Sequence, residues 1–242
     1  MGQRFDSPAL LFDPQKGGEQ MSAAFGGPLV SIPSGQVMLE GVLELPEKPA
    51  GVVVFSHGSG SGRHSPRNRY VAGELHGAGL ATLLLDLLTP QEDTDYEVRF
   101  DIDLLTERLG DAVRFVRKHA TTQSLPIGLF GASTGAASAL RVAAVMPEAV
   151  RAVVSRGGRP DLTGDQALAK VKAPTLLIVG GRDHGVIELN QAAHRLLQCE
   201  KAVAIVSGAT HLFEEPGALE EVARLARDWF VRHLAGGGAE RT

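Results

Sequence analysis

Eight short runs of β-branched and aliphatic residues, separated by segments of helical period, constrain this chain more than any other feature. Residues 29–32 and 37–45 flank a Pro-Ser-Gly turn and read as an antiparallel hairpin. Residues 51–56, 80–86, 127–130, 152–155, 175–179 and 203–206 are near-continuous apolar runs, the pattern of strands covered on both faces. Between them Val98, Ile102, Leu105, Leu109, Ala112, Val113 and Val116 share one helical face, and Val222, Leu225, Ala226, Trp229 and Phe230 share another. The alternation predicts an α/β fold, an eight-stranded mostly parallel sheet with helices on both faces. Only 18 residues, 156–173, separate the sixth and seventh strands. That is too short for a separate cap domain, so a site at the carboxyl ends of the strands is expected to be open. In a chain of 242 residues this leaves one domain over 28–235. Residues 1–27, rich in Gly, Pro and Gln and without periodicity, read as a mobile extension in which Met21 is an alternative start. Residues 236–242 read as a disordered tail.

The strongest local signal is Gly131-Ala132-Ser133-Thr134-Gly135, between a strand ending at Phe130 and a helical run from Ala136 to Val145. In such a strand-to-helix turn the serine is exposed at the top of the sheet, and its neighbours must be small to avoid the adjoining strand and helix. A serine hydroxyl needs a base to become nucleophilic, and the base needs a group that fixes its tautomer. Asp183 follows the seventh strand in Gly180-Gly181-Arg182-Asp183-His184, and His211 follows the eighth in Gly208-Ala209-Thr210-His211. Ser133, Asp183 and His211 therefore stand in the chain order of a serine, acid and histidine triad. Asp161, after the sixth strand, is an alternative acid. His184 and His194 read as surface histidines, and Cys199, remote from the elbow, as a packed side chain.

An oxyanion formed by serine attack needs preorganised N–H donors. The expected donors are Thr134, directly after the nucleophile, and Ser59 in His57-Gly58-Ser59-Gly60-Ser61-Gly62. A phosphate-cradling reading of that loop fails, because Gly62 is followed by Arg63-His64 where a nucleotide loop needs Lys-Ser/Thr.

These residues resemble the α/β-hydrolase superfamily, specifically its dienelactone-hydrolase-like branch, from the hairpin near Leu29 to the last helix near Leu234. The likeness is carried by the stretch His57-Gly58-Ser59-Gly60-Ser61-Gly62-Arg63-His64-Ser65-Pro66-Arg67-Asn68-Arg69, the Ser133 elbow, Ser155-Arg156-Gly157-Gly158-Arg159-Pro160-Asp161, and the Asp183 and His211 loops. The first and third stretches also look like α/β-hydrolase proteins sometimes fused to phosphoribosyltransferase domains; no such domain is expected within these residues. The resemblance implies hydrolysis of a small-molecule carboxylic ester or lactone through an acyl-enzyme, with no metal and no organic cofactor. Dienelactone hydrolases proper carry cysteine at the elbow where this chain has Ser133, so carboxylesterase is the broader description. A thioesterase or amidase would use the same triad. A catalytically silent hydrolase-fold binding protein is the alternative from another class, and a complete Ser, Asp and His set argues against it.

Arg63, Arg156, Arg159 and Arg182 belong to loops at one end of the sheet. Arg63, Arg156 and Arg159 are candidates to clamp a substrate carboxylate; alternatively they pair with Asp161 or the acidic stretch 92–95 and order the loops. The net charge of −4 argues against nucleic acid or an anionic membrane as partner. No apolar run reaches the roughly 18 to 20 residues of a membrane helix, and the first twenty residues lack a signal-peptide pattern. One cysteine, Cys199, fits a reducing compartment, so the cytoplasm is the expected location. The sequence carries no argument about oligomeric state.

Overall fold

The computed structural model describes residues 26–235, so the extension expected over 1–27 and the tail over 236–242 lie outside it except for Gly26 and Gly27. All eight expected strands form: β1 Leu29–Ser34, β2 Val37–Glu44, β3 Val52–Ser56, β4 Ala81–Leu85, β5 Ile127–Ala132, β6 Val150–Arg156, β7 Thr175–Gly180 and β8 Lys201–Val206. They build one sheet in the order β1-β2-β4-β3-β5-β6-β7-β8, antiparallel at the β1, β2 and β4 pairings and parallel from there on. The helices are α1 Pro66–Gly77, α2 Ile102–Lys118, α3 Thr134–Val145, α4 Asp165–Leu168, α5 His184–Leu196 and α6 Ala218–Leu234. Between β6 and β7 stand only a single 3-10 turn at Pro160–Thr163 and the one-turn α4, with no cap domain among the described residues.

The period of two along each central strand divides the apolar residues between two layers. Val52, Val54, Leu129, Val153 and Leu177 face a core shared with Leu105, Leu109 and Val113 of α2 and with α3. Val53, Phe55, Phe130, Val154 and Ile178 face the opposite core, closed by Val71 and Leu75 of α1 and Val222, Ala226 and Phe230 of α6. Each fully buried aliphatic side chain contributes about 1.5–3 kcal/mol relative to exposure. Val98, expected on the α2 face, instead lies in a separate 3-10 turn, because Asp101 caps α2 by accepting the Leu104 N–H at 2.9 Å.

The parallel register brings the carboxyl ends of the strands to one edge: Ser56 pairs with Gly131, Ala132 with Arg156, and Gly180 with Val206. Helix α3 lies close on this edge because two glycines allow it. A Cβ at Gly135 would stand 2.2 Å from the Ser56 carbonyl oxygen, and one at Gly131 would stand 2.4 Å from Ala136 Cα. The loop after β3 is bolted to the loop after β4 by His57, a buried side chain. Its Nε2 accepts the Leu87 N–H at 2.9 Å, so the ring proton sits on Nδ1 and is donated to the Gly58 carbonyl at 2.9 Å. Burial holds the His57 pKa below its ordinary value.

Gly131→Ala and Gly135→Ala are each expected to lower the unfolding free energy by about 2–4 kcal/mol, since backbone atoms cannot yield. Gly77→Ala, where a Cβ meets nothing within 4 Å, is the control and should be neutral or stabilising in the same denaturant titration.

Because the folded state resists protonation of His57, the unfolded chain binds more protons below pH 6.5, and stability should fall as the pH drops through that value. Denaturation of His57→Gln beside the parent should show a shallower acid-side loss.

Candidate active site

Ser133 forms the turn from β5 into α3 with φ 53° and ψ −121°, a left-handed backbone that L residues rarely adopt. Strain of about 1–3 kcal/mol at such a residue persists only where its surroundings over-determine it. Here the Ser133 N–H donates to the Arg156 carbonyl at 3.1 Å, and the Ser133 carbonyl accepts from Ala136 N and Arg159 N, both at 3.1 Å. The loop after β3 closes on the same residue: a Cβ at Gly58 would lie 3.1 Å from Ser133 Cβ.

Asp183, after β7, and His211, after β8, meet through a hydrogen bond of 2.7 Å between His211 Nδ1 and Asp183 Oδ2. A carboxylate can only accept, so Nδ1 carries the proton and Nε2 keeps its lone pair. Asp161 does not reach His211; it takes Arg159 in a two-pronged pair at 2.8 and 2.7 Å. Gly157 fits under the imidazole in a left-handed conformation, φ +52°, where a Cβ would stand 3.5 Å from His211 Cε1. The turn after β6 thus touches both Ser133 and His211. Asn190 of α5 anchors it from below, its Nδ2 donating to the Gly158 carbonyl at 3.0 Å. Among the described residues Ser133 Oγ and His211 are joined by no hydrogen bond.

The two residues expected to hold an oxyanion are neighbours, with one feature the sequence did not reveal. The Ser59 N–H donates to Thr134 Oγ1 at 3.0 Å, so this hydroxyl would have to swing aside or share the donor for Ser59 to hold an oxyanion. Thr134 is the first residue of α3, so its N–H has no acceptor within the helix. Cys199 is half-buried, and desolvation raises its thiol pKa, the reverse of an activated nucleophile. His184 is exposed at the start of α5 and His194 is part-buried on its last turn.

Of the arginines, Arg63 pairs with Asp86 and reaches Glu40 at 2.6 Å, and Arg159 pairs with Asp161. Both guanidinium groups thus follow the loop-ordering alternative and engage the protein's own carboxylates. The acidic stretch serves other arginines: Glu92 takes buried Arg108 at 2.7 and 2.5 Å, and Asp93 takes Arg99 at 3.0 Å. Glu92 and Arg108 fix the loop after β4, which His57 also grips. Arg156 differs, being the last residue of β6 and only 7% exposed, with no carboxylate partner among the described residues. A cleft of about 660 Å³ opens beside the Ser59 loop, bordered by Met38, Glu40, Ser59, Arg67, Asp86 and Thr89. Among the described residues no three His, Cys, Asp or Glu side chains converge as a metal-holding group, and no helix is long and apolar enough to cross a membrane.

Comparison with known proteins agrees with this architecture. A Mycobacterium tuberculosis protein (strain H37Rv), provisionally named a phosphoribosyl transferase, is 59% identical over 209 residues, covering 86% of this chain and 47% of that protein. The chain therefore spans about half the length of that relative. A Bradyrhizobium protein provisionally named a 2-oxo-3-(5-oxofuran-2-ylidene)propanoate lactonase is 29% identical over 167 residues, 60% of this chain and 66% of that protein. The crystal structure of the dienelactone hydrolase from Anabaena variabilis superposes with a TM-score of 0.84 at 54% identity, covering 86% of this chain and 98% of that one. The model of the dienelactone hydrolase family matches residues 39–234. With its α/β-hydrolase architecture and this match over most of its length, the chain belongs to the dienelactone hydrolase family.

Proposed function

We propose that this hydrolase-family chain is a serine hydrolase that cleaves carboxylic esters or lactones through an acyl-enzyme. His211 Nε2 takes the Ser133 proton as the hydroxyl oxygen attacks the substrate carbonyl. Asp183 holds the His211 tautomer and stabilises the imidazolium. The Thr134 and Ser59 N–H groups receive the oxyanion, and His211 then protonates the leaving alcohol. Water, deprotonated by the same imidazole, attacks the acyl carbonyl and releases Ser133.

The observation that carries the reading is a pairing of two features: the strained backbone of Ser133, and the 2.7 Å bond between His211 and Asp183 on the next loops of the same sheet edge. Strain at a non-glycine residue has a cost, and a turn with glycine at position 133 would avoid it. The lactonase and dienelactone hydrolase names among its relatives support an ester or lactone carbonyl as the substrate group. The transferase name belongs to a protein about twice as long as the matched stretch and is not carried over. The expected location remains the cytoplasm and the expected partner a small molecule.

Release of nitrophenol from short-chain p-nitrophenyl esters is expected for the parent and should drop at least roughly ten-thousand-fold in folded Ser133→Ala. Asp183→Asn should lose about a thousandfold or more in kcat with little change in KM, because the imidazole would keep its place but lose its tautomer. Full activity in folded Ser133→Ala would refute the assignment.

A further inference from the structure

Arg156 is the charged side chain that the mechanism leaves unexplained. Its guanidinium lies on the face of β6 that holds Val154 and Ala152, above the core closed by α1 and α6. Its Nε is sealed from water with no hydrogen-bond partner, and its terminal nitrogens make no hydrogen bond or ion pair with the described residues. The ring of Phe213 lies beside it, its centroid 5.8 Å from the guanidinium carbon. Phe213 is fully buried and shares with Ser133 a left-handed backbone, φ 57°; these are the two such non-glycine residues among the described ones.

The two arginines converge on one short segment: Phe213 lies beside the Arg156 guanidinium, and the next residue, Glu214, takes Arg67 of α1 at 3.1 Å, so a second guanidinium is the charge that acts on Arg156. Desolvation first, and then this like charge, push the Arg156 pKa down to about 10. Arg67 also has a sealed and unpartnered Nε, and its one carboxylate contact among the described residues, Glu214 at 3.1 Å, is made through a Glu214 side chain that is 64% exposed and therefore screened. A buried cation without a counter-ion, beside another cation, is unfavourable in the free protein. An anion bound between them would remove that penalty, which makes the pair a candidate anion site.

The position relates the pair to the nucleophile. The Arg156 carbonyl accepts the Ser133 N–H, Phe213 follows His211 by two residues, and Arg67 borders the cleft beside Ser59. Where these loops neutralise a single guanidinium, the chain supplies its own carboxylate, as Asp161 for Arg159 and Asp86 for Arg63. Two guanidinium groups from different elements call for more charge and for oxygens in more than one direction than a carboxylate presents. A phosphate monoester carries about −1.5 to −2 and three acceptor oxygens.

We propose that Arg156 and Arg67 form a subsite for a phosphate group carried by the substrate, next to the turn that holds Ser133. The proposal deepens the hydrolase reading, and its placement beside the reacting ester rests on that reading. Binding of phosphate itself does not require turnover.

Inorganic phosphate and, separately, acetate are titrated into Ser133→Ala protein and the melting temperature is followed, with Arg156→Met and Arg67→Met placed in the same background. Phosphate should raise the melting temperature in a saturable way, acetate much less, and either substitution should weaken the apparent phosphate affinity by about tenfold or more. Without phosphate, Arg156→Met should melt at or above its parent, because an apolar side chain replaces an uncompensated buried charge. In the Ser133 protein, phosphate should inhibit ester hydrolysis competitively, and less so in Arg67→Met. No saturable effect of phosphate, an equal effect of acetate, or phosphate binding unchanged in both arginine variants would overturn the proposal. An inactive Ser133 protein that nevertheless binds phosphate through both arginines would instead count against the hydrolase reading and leave the subsite standing.

Discussion

The contact on which the rest of this structure depends is the approach of the first turn of α3 to the ends of β3 and β5. At Gly135 and Gly131 there is no room for a single methyl group against the Ser56 carbonyl and the Ala136 backbone. Helix packing at this distance leaves the connecting residue one way to turn, and Ser133 adopts it in a left-handed conformation. The strain is maintained by backbone bonds from Arg156, Ala136 and Arg159, so the hydroxyl is fixed by the sheet edge rather than by its own rotamer alone. The same closeness brings Gly58 against Ser133 Cβ and Ser59 against Thr134, which ties the loop after β3 to the turn that holds Ser133.

Charge is distributed over the loops with a consistent logic. Glu92 with Arg108, Asp86 with Arg63, and Asp161 with Arg159 hold the turns after β4, β3 and β6, while neutral His57 joins two of those turns without a charge. Only the Arg159 pair is substantially exposed, and a pair of that kind typically contributes about 0–1 kcal/mol to stability. The effect of these pairs is to restrict loop geometry around the site. Asp183 faces an imidazole instead of a guanidinium, and Arg156 is a buried guanidinium with no carboxylate partner among the described residues.

The strand count and chain order were legible because both rest on local signals. Runs such as Leu176–Val179 are apolar throughout, the pattern of a strand buried on both faces. Asp183 and His211 were legible because each directly follows such a run. What sequence left open depends on partners far apart in the chain. Glu40 on β2 reaches Arg63 because β2 lies beside β4, and Arg67 acts on Arg156 from a helix in the layer against β6. The Ser59 to Thr134 bond spans 75 residues. Arg156 also lies within β6 instead of after it, because the strand extends one residue beyond its apolar run to pair with Ala132 and Ile178.

The central claim is that the fold makes the Ser133 hydroxyl a nucleophile. Its most direct test is intact-protein mass spectrometry after brief exposure to a fluorophosphonate, which transfers its phosphonyl group to an activated serine, followed by peptide mapping. One added group per chain, located at Ser133 and slowed strongly in His211→Gln, is the expected result. A protein that stays unmodified, or one modified at another serine at a rate indifferent to His211, would contradict the claim.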